Sequence, residues 1–147
     1  MSRTPRTHRA VDPRWSGRPL ELAEGRARVA LATVPEMAAD ETGLVHGGFL
    51  FALADHAAML AVDEPTVVLA AAEVRLLAPV AVGEELVAEA VVEEGGRRPR
   101  VACRVLRGEE TVMEGTFHCA VPREHVLARR TREASEAGEP APGGTAP

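Results

Sequence analysis

The sequence has no lysine and no tyrosine, and its aromatic side chains are three Phe and one Trp in 147 residues. Its net charge is -5 at pH 7 and its 17 basic residues, all arginine, are scattered. It therefore offers neither the basic stripe nor the aromatic-rich surface of a nucleic-acid-binding protein. Cysteine is scarce too. Cys103 and Cys119 share no metal-ligand or redox spacing, so they read as two reduced core thiols of a cytosolic protein, and no metal site is expected. No apolar run reaches the ~20 residues of a membrane span. The first 14 residues are basic and polar, without the apolar segment of a signal peptide, which makes the cytoplasm the expected location. A chain of this length supplies one domain, and with so few aromatics its core must be built from Val, Leu and Ala.

What is present centres on one stretch. From Phe49 to Val62 the only polar residues are Asp55 and His56. A helix that is apolar all round is a buried one. A carboxylic acid inside such a helix is costly unless it is paired or working. The preceding Gly47 and Gly48 leave backbone N–H groups at the helix start open to close approach by a ligand oxygen.

Around that helix the pattern is of strands. Leu20, Leu22, Ala27, Val29 and Leu31 alternate with charged residues about a turn at Glu24-Gly25, which suggests either a hairpin or a bent edge strand. Thr66 to Leu77 is a long β-prone run, expected to be buried on at least one face. Stretches 85–93 and 100–107 alternate as well and 111–121 reads as the last strand, separated by Gly95-Gly96 and Gly108 turns. Residues 1–17 lack periodicity and read as a flexible arm whose end Trp15 can pin to the body. From Arg129 the chain is charged and then rich in Ala, Gly, Pro and Glu, a composition that cannot bury a core. The expected organisation is an arm over 1–17, one domain over 18–127 and a disordered tail over 128–147. One buried helix with a single antiparallel sheet of five to six strands is an α+β layout.

The motif Gly43-x-x-His46-Gly47-Gly48-x-x-Phe51-x-x-x-Asp55, with Arg75-x-x-x-Pro79-x-x-x-Gly83 downstream, resembles that of the hotdog-fold acyl-CoA thioesterases, most closely the phenylacetate-pathway (PaaI-like) type. The resemblance spans about residues 18–125 and implies a hotdog fold, a long central helix wrapped by a curved sheet. It implies Asp55 as base or nucleophile and the Gly47 N–H as the group that polarises the thioester carbonyl; His46 is a further catalytic candidate, although a structural role in holding the loop explains it as well. Gly48 and Asp40 fall at substrate-binding positions. No cofactor is implied beyond the coenzyme A of the substrate. Gly47 and Asp55 lie ~12 Å apart along a helix axis, too far to serve one carbonyl. The family's homodimer brings the Asp of one chain to the glycine turn of the other, as a dimer or a dimer of dimers. His56 is then expected to hydrogen-bond at the interface. Arg97, Arg98 and Arg100 are candidates for the coenzyme A phosphates, although a solvated turn explains them as well.

Two positions depart from the family's pattern. Asp40 stands where many members carry Asn, and Val68 to Ala72 lack the Ser or Thr often found at the start of the strand after the helix. Two functions follow as alternatives, hydrolysis of acyl-CoA or non-catalytic binding of an acyl-CoA or acyl-pantetheine group as an effector. The latter hotdog modules normally follow a DNA-binding segment, for which an arm of 17 residues is too short.

Overall fold

A computed structural model describes residues 3–138. In chain order the elements are α1 (Pro13–Ser16), β1 (Arg18–Ala23), β2 (Arg26–Ala32), a 3-10 turn at Pro35–Met37, α2 (Gly47–Val62), β3 (Val68–Leu76), β4 (Glu85–Glu94), β5 (Arg100–Arg107), β6 (Glu110–Ala120) and α3 (Val126–Glu136). The strands form one antiparallel sheet in the order β1-β2-β4-β5-β6-β3. This is the α+β hotdog architecture, with six strands around α2.

The alternation of the strands explains the layering. Inward-facing Ala27, Val29, Leu31, Leu86, Ala88, Ala90, Val101 and Val105 are buried against α2, while the intervening residues face out. Helix α2 contributes Leu50, Leu53, Ala54 and the whole run from His56 to Ala61 to the same core. The helix stops at Asp63, which sits in the left-handed region at φ 51° and donates its N–H to the Met59 carbonyl at 2.8 Å. Pro65 follows and cannot continue the ladder.

Residues 3–17 do not behave as a loose arm. The buried Asp63 carboxylate accepts from the Arg6 N–H at 2.7 Å and faces Arg3 Nε at 3.3 Å. Thr7 is buried, Trp15 packs on Phe49 with ring centroids 6.0 Å apart, and Ser16 O accepts from His56 Nδ1 at 2.9 Å. Gly17 closes the segment at φ 89°, where a Cβ would sit 2.7 Å from Leu53 Cδ1. Each anchor is a single residue, so the segment carries no periodic signal. At the other end α3 is helical through Glu136, with exposed ion pairs Arg129–Glu133 and Arg132–Glu136 at i,i+4 spacing. The remaining tail reading falls on residues 139–147, outside the described residues.

Strand β3 differs from expectation as well. It is an edge strand, and Val74 (37 %) and Leu76 (58 %) on it stay exposed. It lies tight against β6: a Cβ on Gly115 would come within 2.6 Å of the Glu73 carbonyl oxygen.

Candidate active site

The start of α2 is held by backbone bonds rather than by a side-chain cap. His46 donates its N–H to Met37 O at 2.9 Å, Val45 donates to Val80 O at 2.7 Å, and among the described residues no side chain caps the helix. The Gly47 and Gly48 N–H groups come too early in the helix to find an intrahelical acceptor, and the helix dipole adds partial positive charge there. Both glycines are closely packed by side chains that would have to give way to a larger residue. A Cβ on Gly47 would meet Leu76 Cδ1 at 3.0 Å, and one on Gly48 would meet the His46 ring at 3.1 Å. The exposed His46 ring in turn packs edge-on against Phe49, with centroids 6.3 Å apart. His46 thus braces the glycine turn. Gly47 opens onto a recess of about 300 Å³ lined only by apolar residues, among them Leu44, Leu50, Leu76, Leu77 and Pro79.

Two turns further along, the half-buried Asp55 has one carboxylate oxygen, Oδ1, that is buried and without a hydrogen-bond partner among the described residues. Desolvation raises its pKa. The neighbouring backbone is pinned to the sheet, where Cys103 Sγ donates to Ala54 O at 3.7 Å. Both thiols are buried and free. Burial, with a smaller push from the Asp55 charge, raises Cys103 to about 12 and Cys119 to about 11. At those values they are neutral core groups rather than nucleophiles.

The remaining candidates lie elsewhere. Asp40 is exposed and staples its own loop, accepting from Thr42 N–H at 2.9 Å and Thr42 Oγ1 at 2.6 Å. These bonds hold its carboxyl below the usual range. His56, expected at an interface, is instead buried within the chain through its bond to Ser16 O, and burial lowers its pKa. Arg100 pairs with Glu93 and Glu94, and Arg97 donates to Val121 O. His118 finds Glu73 at 3.2 Å across the β3–β6 pairing. Gly47, Gly48 and His46 therefore form one cluster, with Asp55 about two turns (~12 Å) away along the same helix. Not foreseen from the sequence was the apolar recess, because Leu44, Leu50 and Leu76 come from three separate segments. Among the described residues no group of three or more His, Cys, Asp or Glu is placed to hold a metal, and no helix is long and apolar enough to cross a membrane.

The profile of the thioesterase superfamily matches residues 42–114, which include the glycine turn, α2 and most of the sheet. An uncharacterized protein, PH1136 from Pyrococcus horikoshii, has a solved structure that superposes with a TM-score of 0.85 at 52% identity, covering 86% of this chain and 98% of that one. A mutant of the phenylacetic acid degradation protein PaaI from Thermus thermophilus superposes with a TM-score of 0.68 at 29% identity, over 74% and 95% of the two chains. Among curated sequences, methylthioribose-1-phosphate isomerase of Aquifex aeolicus is 49% identical over 113 residues, 76% of this chain, and transcription factor FapR of Bacillus cereus is 39% identical over 77 residues, 50% of this chain. The chain spans only 25% of the first relative and 39% of the second, so most of each lies outside the match. Fold, glycine-turn motif, profile match and the near end-to-end likeness to PH1136 agree: the chain belongs to the thioesterase superfamily of hotdog-fold proteins.

Proposed function

We propose that the protein is a thioesterase that hydrolyses an acyl-CoA thioester to free acid and coenzyme A at two sites of a homodimer. The observation that carries this reading is the buried Asp55 Oδ1, without a partner among the described residues, held in a helix apolar but for Asp55 and His56 whose own start presents a glycine turn beside an apolar recess. One helix cannot bring both ends to one carbonyl, so each site takes Asp55 from one chain and Gly47 from the other. The exposed β3 edge, with Val74, Leu76 and Leu77 still uncovered, is the surface through which a second copy can extend the sheet.

In each site Asp55 removes a proton from water as the water oxygen adds to the thioester carbonyl. The charge developing on the carbonyl oxygen meets the Gly47 N–H. Collapse of the tetrahedral species breaks the C–S bond, and the departing thiolate takes the proton from the Asp55 carboxyl. Direct attack by Asp55, with an acyl-enzyme hydrolysed in a second step, uses the same groups. His46 and Gly48 shape the turn, and the apolar recess suits an uncharged acyl or pantetheine segment.

The test is thiol release from short, medium, long and aromatic acyl-CoAs by wild type and Asp55→Ala. Turnover by wild type that falls by ~10²-fold or more in the variant is expected. The likeness to a transcription factor favours a second reading, a non-catalytic module that binds acyl-CoA as an effector. Binding of acyl-CoA with no thiol release from any substrate would replace the first reading with the second.

A further inference from the structure

The four aromatic side chains of the chain fall in two places. Phe51 and Phe117 pair with ring centroids 5.6 Å apart, Phe117 fully buried in the core. Trp15 and Phe49 instead form a line that ends at the glycine turn. Their centroids are 6.0 Å apart, and Phe49 meets the His46 ring edge-on at 6.3 Å. The His46 ring in turn lies so close to Gly48 that a Cβ there would come within 3.1 Å of its Cδ2 and Nε2. Three successive contacts therefore connect the N-terminal segment to the start of α2.

The first ring is fixed by its own short helix. Asp12 caps α1 by accepting from the Arg14 N–H at 2.9 Å, and Pro13 supplies the preset φ of a first turn. Arg14 pairs with Asp12 and places its guanidinium carbon 5.3 Å from the centre of the Trp15 ring. Ser16 O, bonded to His56, ties the end of α1 to α2. The last ring has no such frame. His46 is exposed at the surface, where a side chain can exchange rotamers, and Phe49 is the ring packed against it. Phe49 is itself half-buried, with Trp15 beside it. Hydrogen-bond donors that act by being preorganised lose effect when their geometry loosens. We propose that Trp15 is a positioning residue: acting through Phe49 and His46, it holds the glycine turn in the form that presents the Gly47 N–H to the developing oxyanion. The catalytic part of this rests on the thioesterase reading, whereas the hold on the turn stands without it. None of the three rings lines the apolar recess, so the effect falls on the chemical step rather than on binding.

Kinetics and backbone amide signals of the full chain test this together. Trp15→Ala is expected to lower kcat for thiol release by about tenfold, less than the ~10²–10³ lost with a whole oxyanion donor. KM should stay within about twofold of the wild type, the mark of an interaction made in the transition state. Trp15→Phe keeps a ring against Phe49 and should restore most of kcat. Phe49→Leu should match the loss in Trp15→Ala, and it takes that variant's place if Trp15→Ala does not fold. The double variant W15A/F49L should lose no more than F49L, because both changes interrupt one line of contacts. Asp63→Ala is the control for mere loosening, since it frees the other end of the segment without touching Trp15. Its kcat is expected unchanged. Independently of turnover, the Gly47 and Gly48 amide signals of isotope-labelled protein should shift and broaden in Trp15→Ala, but not in Trp15→Phe or Asp63→Ala. A wild type that releases no thiol ends the thioesterase reading, and the amide signals then decide the hold on the turn by themselves. Amide signals that do not move in a folded Trp15→Ala would overturn the proposal. So would an active enzyme whose kcat is unchanged by Trp15→Ala, or falls equally in Asp63→Ala.

Discussion

Burial raises the Asp55 pKa, so the folded chain holds that proton more tightly than the unfolded chain does. Between the ordinary aspartate value of ~3.9 and the raised folded value, the folded state binds more protons. Stability therefore falls as pH rises through that window, and the full penalty is present above it. Asp55→Asn removes the ionisation while keeping the shape. At neutral pH its melting temperature is expected above that of the wild type, with the gap closing as pH falls below ~4. A variant no more stable than wild type at pH 7 would show that the carboxylate is fully compensated. In the proposed hydrolysis the same shift is expected to place the acidic limb of kcat/KM above the usual carboxylate range. Under that proposal Asp55 weakens the fold and serves the chemistry, the trade expected of an active-site group.

At the level of elements, α2 and the sheet were legible for different reasons. The apolar run from Phe49 to Val62, interrupted only by Asp55 and His56, has no solvent face and so reads as a central helix, and the observed helix begins at the two glycines. Strands β2, β4 and β5 follow from alternation because one face is buried and the other polar, and where the Glu24-Gly25 turn allows a hairpin or a bent edge strand the structure forms the β1–β2 hairpin. The apolar run of β3 carried the right element but the wrong surroundings, since periodicity says nothing about which strand ends a sheet. The N-terminal segment was not legible. Its contacts join residues far apart in sequence, Arg6 to Asp63 across 57 positions and Ser16 to His56 across 40, and neither end shows a pattern. Of the candidate residues, Asp55 stands out in the sequence as a charge in an apolar run and Gly47 as a glycine just before it, whereas Asp40 follows only from its place in the motif, and in the structure it holds a loop. Asp63 carries a further expectation. It is 1 % exposed and fastens Arg3 and Arg6, so Asp63→Ala should cost about 1–3 kcal/mol by denaturant unfolding. Trypsin should then cleave within residues 3–14 well before the body of the domain. Unchanged stability and unchanged protection would mean that the segment is held by Trp15 and Ser16 alone.

For the whole molecule, the proposed division of each site between two chains has an arithmetic signature. Asp55→Ala lacks the base but keeps the glycine turn, and Gly47→Val crowds the turn against Leu76 but keeps the base. Each variant alone is expected to be inactive. Unfolding and refolding an equal mixture gives heterodimers in half of the population, each with one site made of two intact halves, so activity should recover to about a quarter of the wild type. Mixtures with no recovery would place both groups of a site in one chain. On the outer face of the sheet Glu21, Arg28, Glu89, Arg104, Glu114 and Arg75 stand opposite one another from strand to strand, a row of alternating charge with a consequence for how the sheet is assembled. A strand that slips by one residue turns its apolar side chains outward and is rejected by burial, but a slip of two residues keeps every inward residue inward. Sliding β2 by two along β4 would leave Arg28 opposite Val87 or Val91 instead of Glu89. Each misplaced pair costs little on its own, yet the row crosses five pairings, and its alternating signs fall into line only when all five are in the native frame. The outer face thus marks the frame that the Val, Leu and Ala of the interior are too alike to mark for themselves.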